Sequence, residues 1–230
     1  LRNGTTRRSF LVEKQFSDIG VFRAYTGMNV AGFTLNVAQG ALTTGEFTFM
    51  GRAGLPKTTA TKMPGTQQPT PEMRPMSGMT GSACYVWVDD KPLVGTYVSA
   101  VSLTLDNRLR MQNAMCSAGT DGVVGAVGIG NGQLVVSGSL TLYMSSEDTL
   151  YEEFVKNRNV KLGFTAFDTE GNGYVFTLPK VNIGTHETPT PGNNQDVMAT
   201  INFTGLQINS TVPAMAGVVL LVDRVLAPTL

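Results

Sequence analysis

Residues that could perform catalysis are few in this chain of 230 residues. His186 is its only histidine and lies in a segment rich in Pro and Gly, so a Ser-His-Asp or Cys-His mechanism would depend on it alone. Cys84 and Cys116 lack the CxxC spacing of redox and metal sites, and we predict that both are buried free thiols. We therefore expect no catalytic site, no metal and no cofactor.

Three further patterns resemble functional motifs but fail on spacing or context. The run that begins at Asp168 is similar to the start of a calcium loop, but Pro179 stands where such a loop needs a bidentate glutamate. The glycines at 125–132 lack the dinucleotide-binding spacing, and no βαβ unit surrounds them. Glu152 and Glu153 are adjacent on a predicted helix and do not face one another, and we expect both on its solvated side. None of these patterns supports an enzyme.

The balance of charge argues against a protein that grips nucleic acid. The chain has 17 Lys and Arg residues and 17 Asp and Glu residues, whereas such proteins need clustered basic side chains to displace counterions from phosphates. Charged residues make up 15% of the chain, against about 25% in an average domain. This low fraction is typical of oligomers, whose surface other subunits cover, and also of some β-sandwiches rich in Ser and Thr. No apolar run approaches the ~18 residues of a membrane helix, and we expect no membrane partner. Because the first residue is Leu1, we expect the natural chain to begin upstream.

Alternation of apolar and polar residues, which is the period of a strand with one buried face, dominates the chain. It predicts strands at residues 33–37, 42–50, 98–105, 134–144, 160–166, 174–178 and 197–203. The turn at Gln39 and Gly40 predicts a hairpin over 30–50, and the turn at 171–173 predicts a second hairpin. A continuous apolar run at 217–226 predicts a strand that is buried on both faces.

One helix is predicted at about residues 147–157. Ser145 and Asp148 resemble a capping box at its start, and Asn157 is suited to ending it. Together these elements predict one mainly β domain over residues 1–230, an antiparallel β-sandwich or barrel with one short α-helix and long loops.

Segments without a strand pattern are predicted as loops, at residues 52–92, 117–132 and 184–195. The first is rich in Pro and in Met, whose flexible side chain suits contacts with a partner. Its methionines are Met63, Met73, Met76 and Met79. We interpret this segment as an arm that becomes ordered on a neighbouring subunit, and the alternative is a disordered surface loop.

The polar faces of the first four predicted strands carry hydroxyl and amide groups and sparse negative charge, with no Lys or Arg. These residues are Thr34, Asn36, Glu46, Thr48, Ser102, Thr104, Asp106, Ser137, Ser139 and Thr141. Such a surface is wetted by water but does not bind phosphate, which is what a conduit for DNA requires. The alternative is an ordinary solvent-facing sheet.

Several short motifs, taken in their order along the chain, resemble the family of siphophage tail tube proteins. They are the runs 2–10, 13–19, 25–28, 47–51, 103–107, 138–143, 150–154, 174–179 and 195–198. The resemblance extends over about residues 2–208. It implies a β-sandwich or barrel with one helix, related to the tube subunit of type VI secretion.

The resemblance also implies an assembly. Six copies would form a ring, each subunit would contribute four strands to a continuous barrel around the lumen, and rings would stack into a tube. The ten polar residues above would then face the lumen, and genomic DNA would pass without specific binding. Candidate contacts between rings are Met63, Met73, Met76, Met79 and Trp87. The family further implies a tape measure protein and a tail terminator as partners, a place in the virion tail, and assembly in the host cytoplasm.

The competing hypothesis is a monomeric β-sandwich binding module, such as a carbohydrate-binding domain of a tail fibre or decoration protein. Modules of that kind display exposed aromatic rings on which sugars stack. Here Trp87 is the only tryptophan, and most Phe residues have the parity of core positions.

Overall fold

The structure is a computed structural model that describes residues 3–4, 6–63, 65, 75–76, 85–93, 96–114, 126–144, 149–190, 192–209, 211 and 216–226. Within these ranges the chain forms fourteen strands and one helix, α1 (Thr149–Val155). The strands are β1 (Phe10–Phe16), β2 (Val21–Ala38), β3 (Thr44–Met50), β4 (Ala53–Gly54), β5 (Val86–Val88), β6 (Lys91–Pro92), β7 (Val98–Asp106), β8 (Arg110–Gln112), β9 (Gly128–Gly130), β10 (Val135–Tyr143), β11 (Val160–Phe167), β12 (Gly173–Glu187), β13 (Met198–Gly205) and β14 (Leu221–Val225).

Antiparallel pairing joins twelve of these strands into one sheet. Its order is β1-β2-β7-β10-β13-β12-β11-β5-β6, with β3 and β4 attached to β2 and with β14 attached to β12. β8 and β9 form a separate two-stranded sheet. The prediction of a mainly β protein with an antiparallel sheet and one short helix is confirmed. Both predicted hairpins are present, as β2–β3 and β11–β12, and their turns contain Gly40 and Gly171 at positive φ (71° and 86°).

The core forms between the two halves of the large sheet. Apolar side chains of β2, β7, β10 and β13 join those of β5, β11 and β12 in one cluster, so the sheet curls around a shared interior. Phe164 and Phe176 are paired across β11 and β12, with ring centroids 5.0 Å apart. Because burying one large apolar side chain stabilises a fold by about 2–3 kcal/mol, this cluster is what holds the polar face of the sheet in place.

Glycines allow two aromatic rings to lie against the sheet. Gly163 is paired with Trp87, and Gly138 is paired with Phe203. A Cβ atom at either glycine would overlap the facing ring. Each ring therefore fills the space of a missing side chain, and the Trp87 ring packs β5 onto β11.

The apolar run at 217–226 differs from its prediction as a strand buried on both faces. Only Leu221–Val225 forms a strand, β14, which pairs with β12 and carries no buried residue. The preceding Val219 and Leu220 are buried but lie outside any strand. Their backbone N–H groups donate to Asn3 Oδ1 at 2.8 and 3.2 Å, so an N-terminal side chain satisfies them in place of a strand partner.

The helix and the last predicted loop also differ in their bounds. α1 is shorter than predicted, and residues 145–148, where its cap was predicted, lie outside the described residues. Asn157 ends the helical region as predicted, since it adopts a φ of 48° and its N–H donates to Phe154 O. β12 continues to Glu187 because it pairs with β13 there, so the first part of the predicted loop at 184–195 is strand.

β1 and the first half of β2 were not predicted, although β2 begins at Val21 and is 18 residues long. Charged residues interrupt the alternation there. Lys14 Nζ and the Arg23 guanidinium lie 5.0 and 5.7 Å from the centroid of the Phe16 ring, so their chains cover apolar surface instead of breaking the strands. The segment 52–92, which was predicted as a long loop, also differs from its prediction, because it contains the short strands β4, β5 and β6.

Candidate functional site

The polar residues selected from the sequence lie together on one face of the sheet. Residues paired in antiparallel register share a face, and the pairs form continuous rows across β3, β2, β7, β10 and β13. One row is Glu46, Thr34, Thr104, Ser137 and Thr204, and the next is Thr44, Asn36, Ser102, Ser139 and Asn202. The flanking rows hold Thr48, Gly32 and Asp106 on one side and Ala38, Ala100, Thr141 and Thr200 on the other. We call this surface the hydroxyl face.

Neutral polar groups dominate the hydroxyl face and bond to one another. Ser102 Oγ donates to Asn36 Oδ1 at 2.9 Å, which links β7 to β2 above the backbone ladder. Glu46 and Asp106 are its exposed carboxylates among the ten candidates. β3, β7, β10 and β13 contain no Lys or Arg. The face therefore offers hydrogen bonds to water and no cation to a phosphate.

A shallow depression of about 370 Å³ lies in the middle of this face. Its rim is formed by Ser102, Thr104, Ser137, Ser139, Asn202 and Thr204, and its floor includes Gly138 and Gly184. Gly184 contributes to the depression because it carries no side chain and only Asn202 O would lie within 4 Å of a Cβ there. None of these lining groups titrates near neutral pH, so the depression has no candidate acid, base or nucleophile pair.

Sequence reasoning missed the part of the face that β13 and β12 provide. Thr204 and Asn202 continue the two central rows, and they are paired with Asn182 and Thr185 of β12. Asn202 Nδ2 donates to Thr185 Oγ1 at 2.8 Å. The signal was present, because Thr200, Asn202 and Thr204 alternate with apolar residues in the predicted strand at 197–203.

A family model described as phage tail tube protein matches residues 2–205. The chain belongs to the phage tail tube protein family. It is therefore a structural protein of the bacteriophage tail, and the family implies self-assembly into a tube in the virion. No curated protein is detectably similar to the chain.

The methionine and tryptophan residues predicted for contacts between rings lie in different surroundings in this tail tube protein. Met63 is exposed, whereas Met76 packs against the core and its carbonyl oxygen accepts a hydrogen bond from Thr43 N at 2.8 Å. Trp87 is half-buried over Gly163. Met73 and Met79 lie outside the described residues, as do Cys84 and Cys116. Their role between rings stays a prediction.

Two ion pairs form at α1 of the tail tube protein, Lys156 with Glu152 and Arg158 with Glu153. Glu153 was predicted on the solvated side of the helix, which is wrong, because it lies three residues after Leu150 and shares its buried face. Arg158 Nη2 donates to Glu153 Oε1 at 2.8 Å, and Arg158 Nε lies 2.5 Å from Oε2 as an ion pair without hydrogen-bond geometry. Glu152 is exposed as predicted, and its hydrogen bond to Lys156 lowers the pKa of its carboxyl group.

His186 and Asp168 contact groups that stabilise the fold. The His186 ring lies against Tyr151 and Phe154, with centroids 5.1 and 6.3 Å away. Asp168 Oδ1 accepts hydrogen bonds from Glu170 N and Asn172 N, which closes the β11–β12 turn. In the part of the chain that the structure describes, no three His, Cys, Asp or Glu side chains are grouped to hold a metal ion, and no helix is long and apolar enough to cross a membrane.

Phenylalanine residues at β3 form a second notable surface of the tail tube protein. Phe47 and Phe49 were given core parity from the sequence, yet both are exposed, as is Phe10. The Phe10 and Phe49 rings meet edge to face at 6.3 Å, and Phe33 lies 4.6 Å from Phe47. We call the exposed set Phe10, Phe47 and Phe49, together with the free side of β3, the aromatic edge.

Proposed function

We propose that the hydroxyl face lines the bore of a hollow siphophage tail tube, built from six-membered rings that stack, through which genomic DNA passes during ejection. One observation supports this proposal above the others. The ten residues selected from sequence parity share a single face in unbroken rows, and none of them is Lys or Arg. The family resemblance implies four strands of each subunit around the lumen, and the ten residues lie on four strands, β2, β3, β7 and β10.

The chemistry of the face suits passage of a polyanion. A basic bore would bind phosphates and release their counterions, which would hold the DNA in place. Hydroxyl and amide groups keep a layer of water instead. The carboxylates of Glu46 and Asp106 add weak repulsion, which solvent ions screen within about 8–10 Å.

Assembly in the host cytoplasm would involve further partners. We propose that the tube forms around a tape measure protein, which sets its length, and ends at a tail terminator. In both roles the partner meets a surface repeated six times around the axis, because subunits related by a closing rotation form a ring. The Met-rich segment within 52–92 and Trp87 remain the candidates for contact between rings.

Electron microscopy of the purified protein at high concentration tests the proposed assembly. We expect hollow particles with sixfold symmetry. The bore can be tested by introducing a cysteine at Ser139, with Cys84 and Cys116 replaced by Ser. In assembled tubes, the Ser139→Cys variant should resist a maleimide attached to a bulky polymer, whereas a matched Val155→Cys variant on the exposed end of α1 should react.

Dissociated subunits provide the reference, because both cysteines should react there at similar rates. Equal reaction of the two variants in intact tubes would place Ser139 outside the bore. Absence of any hollow particle would count against the tube itself.

The carbohydrate-binding hypothesis is favoured by one specific observation, the exposure of Phe10, Phe47 and Phe49. Exposed rings can stack on sugars. A glycan array with a clear hit that Phe47→Ala abolishes would support that function, and the tube proposal predicts no such hit.

A further inference from the structure

Asparagine is followed by glycine at three places in the chain, at Asn3, Asn131 and Asn172. This pair is open to a covalent change without an enzyme, because a glycine presents no Cβ to hinder attack by its backbone nitrogen on the preceding side-chain amide. The second and third pairs lie in the same triplet, Gly-Asn-Gly, at residues 130–132 and 171–173. Differences in reactivity between these two must therefore come from the fold around them.

Hydrogen bonds hold the side chain of Asn3. Its Nδ2 donates to Gly217 O at 3.2 Å, and its Oδ1 accepts hydrogen bonds from the N–H groups of Val219 and Leu220. Attack on this amide would first require these three contacts to break, so the reaction at Asn3 depends on local opening of the fold.

Asn172 is held inside the turn between β11 and β12. Its Nδ2 donates to Asp168 Oδ2 at 3.2 Å, and its backbone N–H donates to Asp168 Oδ1 at 2.9 Å. The following Gly173 is buried and is paired with Phe167 and Val225 in the sheet. Both the amide and the nitrogen that would attack it are therefore fixed, and the reaction here also requires local opening.

Asn131 lies in the open segment between β9 and β10. Asn131 and Gly132 are both exposed, and neither belongs to a strand. Among the residues that the structure describes, no hydrogen bond holds the side chain of Asn131 or the N–H group of Gly132. The side-chain amide is therefore free to rotate toward the Gly132 nitrogen without loss of a contact that stabilises the fold.

Packing keeps a glycine at position 132. A Cβ atom there would overlap both the carbonyl oxygen and the Cβ atom of Arg108. The fold thus requires, directly after Asn131, the residue that leaves the backbone nitrogen most accessible.

Arginine side chains make the surroundings of this segment positive. Gly132 packs on Arg108, and a Cβ atom at Gly130 would lie 3.8 Å from Arg110 Nη2. The acidic neighbour is Asp106, whose Oδ1 accepts a hydrogen bond from Arg108 N at 2.8 Å. Nearby cations favour the deprotonated nitrogen and the oxyanion that develop when the amide is attacked.

We propose that Asn131 is a site of spontaneous deamidation. The Gly132 nitrogen gives up its proton to solvent hydroxide and forms a bond to Asn131 Cγ. The Cγ–Nδ2 bond breaks, and Nδ2 takes a proton from water and leaves as ammonia, which produces a five-membered succinimide. Water then opens this ring at either carbonyl group and leaves aspartate or isoaspartate at position 131.

The change alters the charge at one end of the hydroxyl face. The chain has a formal net charge of zero, so one conversion gives zero minus one. The new carboxylate would lie beside Arg108 in the segment that leads into β10, where Val135 is paired with Asp106. We expect this end of the face to become more negative as the protein ages, whether or not the subunits form a tube.

The test is incubation of the folded, dilute subunit at mildly alkaline pH, where more of the attacking nitrogen is deprotonated. Peptide mass spectrometry then separates asparagine, aspartate and isoaspartate at each of the three positions. We expect Asn131 to react at least about tenfold faster than Asn172, because only Asn172 has to wait for local opening. An Asn131→Gln variant, which would need a larger ring, should accumulate far less of the acidic form on ion exchange than the wild type.

Unfolded protein provides the reference. In urea the contacts of Asn172 are lost, so the two Gly-Asn-Gly triplets should react at rates within about threefold of each other. Reaction at Asn131 no faster than at Asn172 in the folded subunit would overturn the inference. A preference for Asn131 that persisted unchanged in urea would overturn it as well, because the fold would then not select the site.

Discussion

Two edges of the large sheet, at β6 and at β3, differ in how they are protected from pairing with a further strand. At one end, β5 and β6 are three and two residues long and close with a tight turn. At the other end, β3 exposes a seven-residue edge with two Phe side chains. An unpaired edge is a template for another strand, and among the strands that the structure describes β3 pairs only with β2.

The β6 end is held by its turn and by charge. Asp89 and Asp90 both have positive φ, 49° and 63°, as a two-residue type I′ turn requires. Lys161 N donates to Asp89 Oδ1 at 2.8 Å, and Lys161 Nζ donates to Asp90 Oδ1 at 2.6 Å. Pro92 has no N–H to offer another strand. This end is therefore held against β11 and offers a short, poorly suited edge to a further strand.

The two edges of the sheet therefore differ in how readily another strand could pair with them. β1 and β14 are further edge strands of this sheet, each paired with one strand among the described residues, so the contrast concerns β3 and β6. The predictions below test this contrast between the ends.

Replacing one aromatic residue at each end by Ala should affect the free energy of unfolding very differently. This is the largest expected effect. Trp87→Ala should lower the free energy of unfolding by about 3 kcal/mol, because the half-buried ring fills the space above Gly163. Phe47→Ala should change it by less than about 0.5 kcal/mol, because the Phe47 ring is 59% exposed. Urea denaturation of the dilute subunit measures both. Equal losses of stability in Trp87→Ala and Phe47→Ala would contradict the difference between the two ends of the sheet.

The middle of the sheet should respond as a packed interior. Gly138→Ala should destabilise the subunit by about 2 kcal/mol, because its Cβ would overlap Ser102 O and the Phe203 ring. Gly184→Ala is the matched control on the same depression, since the nearest atom to its Cβ would be Asn202 O at 3.8 Å. Thermal melting distinguishes the two variants. A control as unstable as Gly138→Ala would contradict the explanation by packing.

The ion pairs near the β6 end should matter least. Arg158→Ala should cost about 1–2 kcal/mol, since it leaves the Glu153 carboxylate, 8% exposed, without its cation. Lys156→Ala is the control, because its partner Glu152 is fully exposed and the pair should add no measurable stability. Lys156 lowers the pKa of Glu152, so any contribution is present above the ordinary glutamate pKa and lost as the pH falls below it. Denaturation at neutral and acidic pH checks both variants, and a larger loss for Lys156→Ala would reverse the assignment.

Sequence alone was sufficient for the ten residues of the hydroxyl face on β2, β3, β7 and β10. Strand side chains alternate with a period of two, so the parity of Thr34, Ser102 and Ser137 within their own strands placed them together once the strands paired. It also gave the two hairpins and the family, because turn glycines and the order of short motifs are local features of the chain.

Tertiary structure alone decided which surfaces are covered. Phe47 and Leu103 both occupy apolar positions of the alternating pattern in their strands. Phe47 is nevertheless exposed and Leu103 is buried, because burial depends on which strands lie opposite. In the same way, the carboxylate of Glu153 is buried and that of Glu152 is not. Parity assigns a side chain to a face, but only the path of the whole sheet determines where that face is covered and where its edge stays open.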